Sequence, residues 1–206
     1  MISRFENDTA LLIVDAQLGI NVLNYWGGAK GRRNNPHAED RIAELLSAWR
    51  KHQMPVFYTV HDSRESKSPL KLNLETGQIF PELLPIDGEV IVRKDVNSGF
   101  IGTNLEIQLR RSGISRLVVA GFFTNMCIET TVRMAGNLGF DTYLVDDACA
   151  CTNRIRLDGT DIDPDMVHSM TLANLHGEFC TVLNVHQTIG LLESNAEELK
   201  RMMGNE

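Results

Sequence analysis

Asp15, Lys94 and Cys127 each follow a short apolar, β-branched run: Ala10 to Val14, Val90 to Val92 and Leu117 to Ala120. A thiol can attack an electrophilic carbon, a carboxylate can take and return its proton, and an ammonium can stabilise both anions. After Cys127, residues Ile128, Thr131, Val132, Ala135 and Leu138 recur at helical spacing, and Gly139 suits a left-handed stop. Cys127 is therefore expected in the first turn of a helix, after a tight turn permitted by Gly121. Unpaired amides and the helix dipole there favour a negative charge, so its thiol is expected to ionise more easily than a free one. Each residue also has an inert reading. Buried cysteines are usually unreactive, an aspartate after a strand often only forms a turn, and a lysine is most often solvated.

The elements that must position these groups alternate along the chain. Strands are expected at Ala10 to Val14, Val56 to Val60, Val90 to Val92, Leu117 to Ala120, Thr142 to Val145 and Cys180 to Val185. Between them, Ile42, Leu45, Leu46 and Trp49 form the apolar face of a helix capped by Asn35 with Pro36 at its first position. Thr103 and Glu106 read as a capping box for a helix that Gly113 ends, and Asp163-Pro164 starts another. Leu18 to Asn35 is a glycine-rich, partly aromatic loop long enough to cover a site or to form an oligomer contact. Leu72 to Gly88, with Pro81 and Pro85, is irregular, and the polar tail from Asn195 to Glu206 reads as a surface helix or a frayed end. Strands separated by helices imply a parallel sheet covered on both faces with right-handed crossovers. In such sheets ligands sit beyond the carboxyl ends of the strands, where Asp15, His61, Lys94, the Gly121 to Cys127 turn and Asp146-Asp147 fall.

The 206 residues suit a single domain, 1–206, with room for one core. A formal net charge of −7 and a pI near 5.4 argue against nucleic acid and against an anionic membrane surface, leaving a small molecule as the expected partner. The start MISRFENDTA has no signal-peptide core, and no apolar run is long enough to span a membrane. Cys149 and Cys151 form a C-x-C pair without the second pair a zinc site needs, and Cys180 stands alone. A reduced, cytoplasmic chain is the simplest expectation.

LLIVDAQ at 11–17, VIVRKDVNSGF at 90–100, VVAGFFTNMCIETTVRMAGNLGF at 118–140 and VDDACA at 145–150 resemble the isochorismatase-like cysteine hydrolase superfamily over nearly the whole chain. The resemblance implies an α/β fold, a three-layer α-β-α sandwich with a six-stranded parallel sheet of order 3-2-1-4-5-6. It also implies a catalytic triad of Asp15, Lys94 and Cys127, the three positions already singled out. The family's non-proline cis peptide would map to Phe122-Phe123, with an oxyanion hole carried onto the backbone amides of Phe123 and Cys127. Nicotinamidases of the superfamily hold a metal through an aspartate and two histidines. The corresponding region here offers His61 and Asp62 but no further histidine before His168, so no metal and no cofactor are expected.

The expected reaction is hydrolysis of a C–N bond in a small amide or ureido compound through a thioester. A vinyl ether hydrolase, as in true isochorismatases, and a thioesterase remain open alternatives, as does a catalytically silent binding protein. Gln17, Trp26, His61, Phe100 and Phe123 are placed by topology to line the substrate pocket, His61 being alternatively a structural histidine. Arg64 and Lys67 could attract a substrate carboxylate or merely face solvent. The family resemblance implies a homodimer or homotetramer, which exposed Tyr25 and Trp26 would suit.

Overall fold

The β-branched runs form one sheet, buried on both faces at its centre and half-exposed at its edge strands. In the computed structural model, which describes residue 2 and residues 4–193, all six residues of β1 (Thr9–Val14) are buried. Then come β2 (Val56–His61), β3 (Val90–Lys94), β4 (Arg116–Phe122), β5 (Asp141–Ala150), a small antiparallel pair β6 (Arg154–Ile155) and β7 (Asp161–Ile162), and β8 (Thr181–Leu183). The main sheet has the order β3-β2-β1-β4-β5-β8, with every neighbour parallel. This is the expected order, its last strand numbered eight only because β6 and β7 intervene.

Successive residues divide between the two faces, as the pleat requires. Leu11, Ile13, Val118, Ala120 and Val145 pack with Ile42, Leu45, Leu46 and Trp49 of one helix. Leu12, Val14, Val119 and Leu144 pack on the other side with Leu105, Leu109, Val132 and Ala135. The helices include α1 (Leu23–Gly27), α2 (Ala38–Lys51), α3 (Leu105–Arg111), α4 (Glu129–Asn137) and α5 (Pro164–Leu175), and residues 185–193 are helical too. Among the described residues, no helix is long and apolar enough to cross a membrane.

Several local expectations change. Helix α2 starts at Ala38, two residues after Pro36, because Asn35 is held elsewhere: at φ 42 its side-chain amide donates to the carbonyls of Asp146 and Cys149. Thr103 does not build a capping box. Its hydroxyl donates to the Gly99 carbonyl and accepts from Leu105 N, while α3 begins after Asn104 without a side-chain cap. Asp163 does cap α5, accepting from Asp165 N with Pro164 next to it.

Strand β4 does not turn at Gly121 but runs through it to Phe122. Gly121 has φ 129, and a Cβ there would lie 2.1 Å from the Val14 carbonyl oxygen, so only glycine lets β4 approach β1 this closely. The turn comes at Phe122-Phe123, a cis peptide bond. The excursion after β1 is partly helical, with α1 between 3-10 turns at Leu18–Asn21 and Gly28–Lys30. It is pinned from outside: Asn153 donates to the Gly27 carbonyl and accepts from Arg32 N, and Arg32 pairs with Asp161 at 2.5 Å. The tail from Asn195 lies outside the described residues.

Candidate active site

The order β3-β2-β1-β4 sets four side chains in a row at the carboxyl ends of adjacent strands: Lys94 ends β3, His61 ends β2, Asp15 follows β1 and Cys127 follows β4. His61 and Lys94 are register partners, so their side chains leave the sheet at one level. The chain reverses its winding direction between β1 and β4, the place where open parallel sheets leave a crevice. Asp15 adopts φ 51, a left-handed conformation uncommon for a residue with a side chain. Its amide donates to the Thr59 carbonyl at 3.1 Å, holding the bend against β2. Cys127 lies not in a regular helical turn but in a π-helical turn, Thr124–Ile128, that feeds α4. Such turns recur at functional sites because one wide turn redirects the side chains that follow.

Lys94 Nζ is the centre of the cluster. It lies 2.6 Å from Asp15 Oδ2, 2.8 Å from His61 Nδ1, 3.3 Å from Cys127 Sγ and 3.1 Å from the Val96 carbonyl oxygen. An ammonium offers only protons, so His61 Nδ1 is an acceptor and the imidazole carries its proton on Nε2. Asp15 Oδ1 accepts from the Thr59 hydroxyl at 2.7 Å, whereas Oδ2 carries the ion pair but no well-angled hydrogen bond. Oδ2 thus keeps a lone pair for the thiol proton. The reactive atoms of Asp15, His61 and Cys127 all lie within 4.8 Å of one another.

Burial and charge set the protonation states. Burial alone would raise the Asp15 carboxyl, but the charge and hydrogen bonding around it, the Lys94 ammonium first, outweigh it and hold the pKa at about 2. Burial likewise opposes the charge on Lys94, yet Asp15 and Cys127 keep its pKa above the ordinary lysine value. Cys127 departs from expectation. Burial, with Asp15 adding to it, pushes the thiol up by more than Lys94 can offset, so the resting group is a neutral thiol rather than a readily ionised one. Desolvation outweighs the helix terminus here because the side chain is almost wholly enclosed.

Asp15, His61 and Cys127 are also a plausible ligand set for a cation. The point between them is taken by the Lys94 ammonium, so a metal ion would meet a like charge there. Asp62 and His168 do not converge on it: Asp62 pairs with Arg93 at 2.5 Å and accepts from Leu72 N, and His168 Nδ1 bonds the Thr124 hydroxyl at 2.8 Å.

Above the cluster opens a cavity of about 550 Å³ with Cys127 and His61 in its wall. Trp26 and Phe123 line it edge to face at 5.1 Å, with Ile20, Leu70, Phe122 and Met126 extending the apolar surface. Two residues expected there are not on the wall. Gln17 is fully buried, its amide donating to the His61 and Gly77 carbonyls and accepting from His61 N, so it fixes the end of β2 instead. Phe100 stacks on Phe140 at 5.9 Å beneath α3 and α4. Tyr25 and Trp26 are half-buried rather than exposed. Tyr25 donates to Glu65 and Trp26 to the Gly19 carbonyl, so both serve the cavity wall. Arg64 is at the rim in a two-pronged pair with Asp95, while Lys67 is off the wall. Sequence reasoning did not find Thr59. The available signal was a hydroxyl in an otherwise apolar strand, two residues before His61.

The isochorismatase domain profile matches residues 9–187. The isochorismatase family protein YrdC of Bacillus subtilis is 41% identical over 184 residues, covering 89% of this chain and 96% of that protein. The crystal structure of an isochorismatase-family protein from Chromobacterium violaceum superimposes with a TM-score of 0.86 at 40% identity, covering 93% of this chain and 97% of the other. A ureidoacrylate amidohydrolase, RutB of Agrobacterium fabrum, is 32% identical over 118 residues, 57% of this chain and 47% of that protein.

Proposed function

We propose, from the premise that the chain belongs to the isochorismatase family of hydrolases, that it cleaves a C–N bond in a small amide or ureido compound through a thioester on Cys127. One observation carries this reading: Lys94 Nζ joins Asp15 Oδ2 and Cys127 Sγ at 2.6 and 3.3 Å on the floor of an apolar cavity. The partial likeness to a ureidoacrylate amidohydrolase supports the choice of bond.

At rest the cluster holds a carboxylate, an ammonium, a neutral imidazole and a neutral thiol. Moving the thiol proton to Asp15 leaves the summed charge unchanged, which burial tolerates far better than losing that proton to water. As Asp15 takes the proton, sulfur adds to the substrate carbonyl carbon and the carbonyl oxygen becomes an alkoxide. The backbone amides of Phe123 and Cys127 meet that charge. The intermediate collapses as the C–N bond breaks, and Asp15 returns its proton to the departing amine. Water then gives a proton to Asp15 and adds to the thioester carbonyl. Collapse expels the sulfur, which regains the proton from Asp15 and frees the acid. Thr59 holds Asp15 in register throughout, and Lys94 stays cationic.

A panel of small amides and ureido compounds tests this. Cys127→Ala and Asp15→Asn should each lower turnover by roughly 10⁴-fold, and rapid quenching should trap an acyl group on Cys127. A Cys127→Ala variant that keeps its activity while Asp15→Asn loses it would point to vinyl ether cleavage instead.

A further inference from the structure

The walls and rim of the cavity differ sharply in kind. Below, Trp26, Phe122, Phe123 and Met126 leave an apolar, largely aromatic surface around the sulfur. At the rim stand one guanidinium, Arg64, and two carboxylates, Glu65 and Asp95. Arg64 meets Asp95 through two hydrogen bonds of 2.8 and 3.0 Å, while Glu65 accepts from the Tyr25 hydroxyl at 2.6 Å. On the floor, Lys94 is matched by Asp15. Among the described residues, no cation lining this cavity or forming its floor is left without an anion.

From this balance we infer that the pocket selects substrates whose acyl group is uncharged and aromatic or branched, and that it discriminates against those bearing a carboxylate. The inference rests on the thioester reading above and adds the substrate class. A carboxylate entering the pocket gives up its hydration against largely apolar walls and meets no unpaired cation among the described residues. Arg64 is exposed, and its pair with Asp95 is therefore a weak one. If it swung toward a substrate anion, however, it would leave Asp95 unpaired beside Glu65, so the rim would still carry an excess of negative charge. An uncharged planar group loses nothing by entering. It gains the edge-to-face wall that Trp26 and Phe123 make at 5.1 Å.

Two aldehydes of similar shape, 4-methylbenzaldehyde and 4-formylbenzoate, report on this without requiring turnover. Each adds reversibly to a thiol: the sulfur–carbon bond forms, the carbonyl π bond breaks, and the oxygen takes the thiol proton. Protection of Cys127 from iodoacetamide, read by peptide mapping and scaled to each aldehyde's addition to a small free thiol, measures the pocket's preference. The uncharged aldehyde should protect at a concentration at least tenfold lower, and Asp95→Asn, which releases Arg64, should shrink that ratio severalfold. Equal or better protection by 4-formylbenzoate overturns the inference. So does labelling of Cys127 that neither aldehyde slows, since the pocket would then not hold a planar acyl group. If iodoacetamide never labels Cys127, the nucleophile reading itself fails and takes the inference with it.

Discussion

At the residue scale, the site is an arrangement around one buried ammonium. Lys94 is 2% exposed, and its neighbours are a carboxylate, an imidazole nitrogen, a thiol and a carbonyl. Asp15, Lys94 and Cys127 were legible because each follows a β-branched run, and strand exits converge in a parallel sheet. The state of the thiol was not legible. Helix position can be read from sequence, but enclosure depends on residues far away in the chain, and enclosure won. Gln17 and Phe100 were misplaced for a related reason, since the direction of a side chain beyond a strand end is set by partners that sequence spacing does not reveal. Gln17 spends its amide on His61 and Gly77. Replacing it by leucine should therefore lower stability to urea by about 2–4 kcal/mol, the cost of leaving buried backbone groups unpaired. Unchanged stability would show that those bonds contribute nothing.

At the scale of elements, the strands and the centres of the long helices were readable, and the joints were not. Regular periodicity marks a buried strand or an amphipathic helix over many residues, whereas a cap depends on one side chain with competing partners. Asn35 illustrates this, since its amide is drawn to the carbonyls of Asp146 and Cys149 instead of the start of α2. The β6–β7 pair escaped notice because strands of two residues carry no period. The joint of greatest consequence is Gly121, where β4 passes against the Val14 carbonyl just before the turn that carries Cys127. Gly121→Ala combines a steric clash with a strained φ and should cost about 3 kcal/mol or more. It should also slow the reaction of Cys127 with alkylating reagents in whatever fraction still folds. A variant as stable as the parent would contradict the account of how β4 is placed.

At the scale of the whole molecule, a sheet covered on both faces encloses an ion pair that ties its stability to pH. The folded pKa of Asp15, about 2, lies below its ordinary value of 3.8, so its contribution is complete above that value and is lost as pH falls toward 2. Lys94 is shifted upward, so its share persists to alkaline pH and is lost only above the ordinary lysine range. Asp15→Asn leaves Lys94 buried without its counter-charge and should cost roughly 3–5 kcal/mol near neutrality. The gap from the wild type, followed by urea unfolding, should narrow between pH 4 and pH 2 as Asp15 itself becomes neutral. A gap independent of pH would mean that Asp15 and Lys94 do not interact as described. The central claim, that Asp15 and Cys127 share one proton beside Lys94, is met most directly by the pH profile of iodoacetamide alkylation at Cys127. Burial and the Asp15 charge hold the thiol protonated through neutrality, so the wild-type rate should stay low there and rise only well above the pH at which an ordinary cysteine ionises. An ordinary thiol levels off near about pH 8.5, and Asp15→Asn, which removes a charge that raises the Cys127 thiol, should move the curve to lower pH. A wild-type curve that coincides with that of a free cysteine, and that Asp15→Asn does not move, would contradict the account.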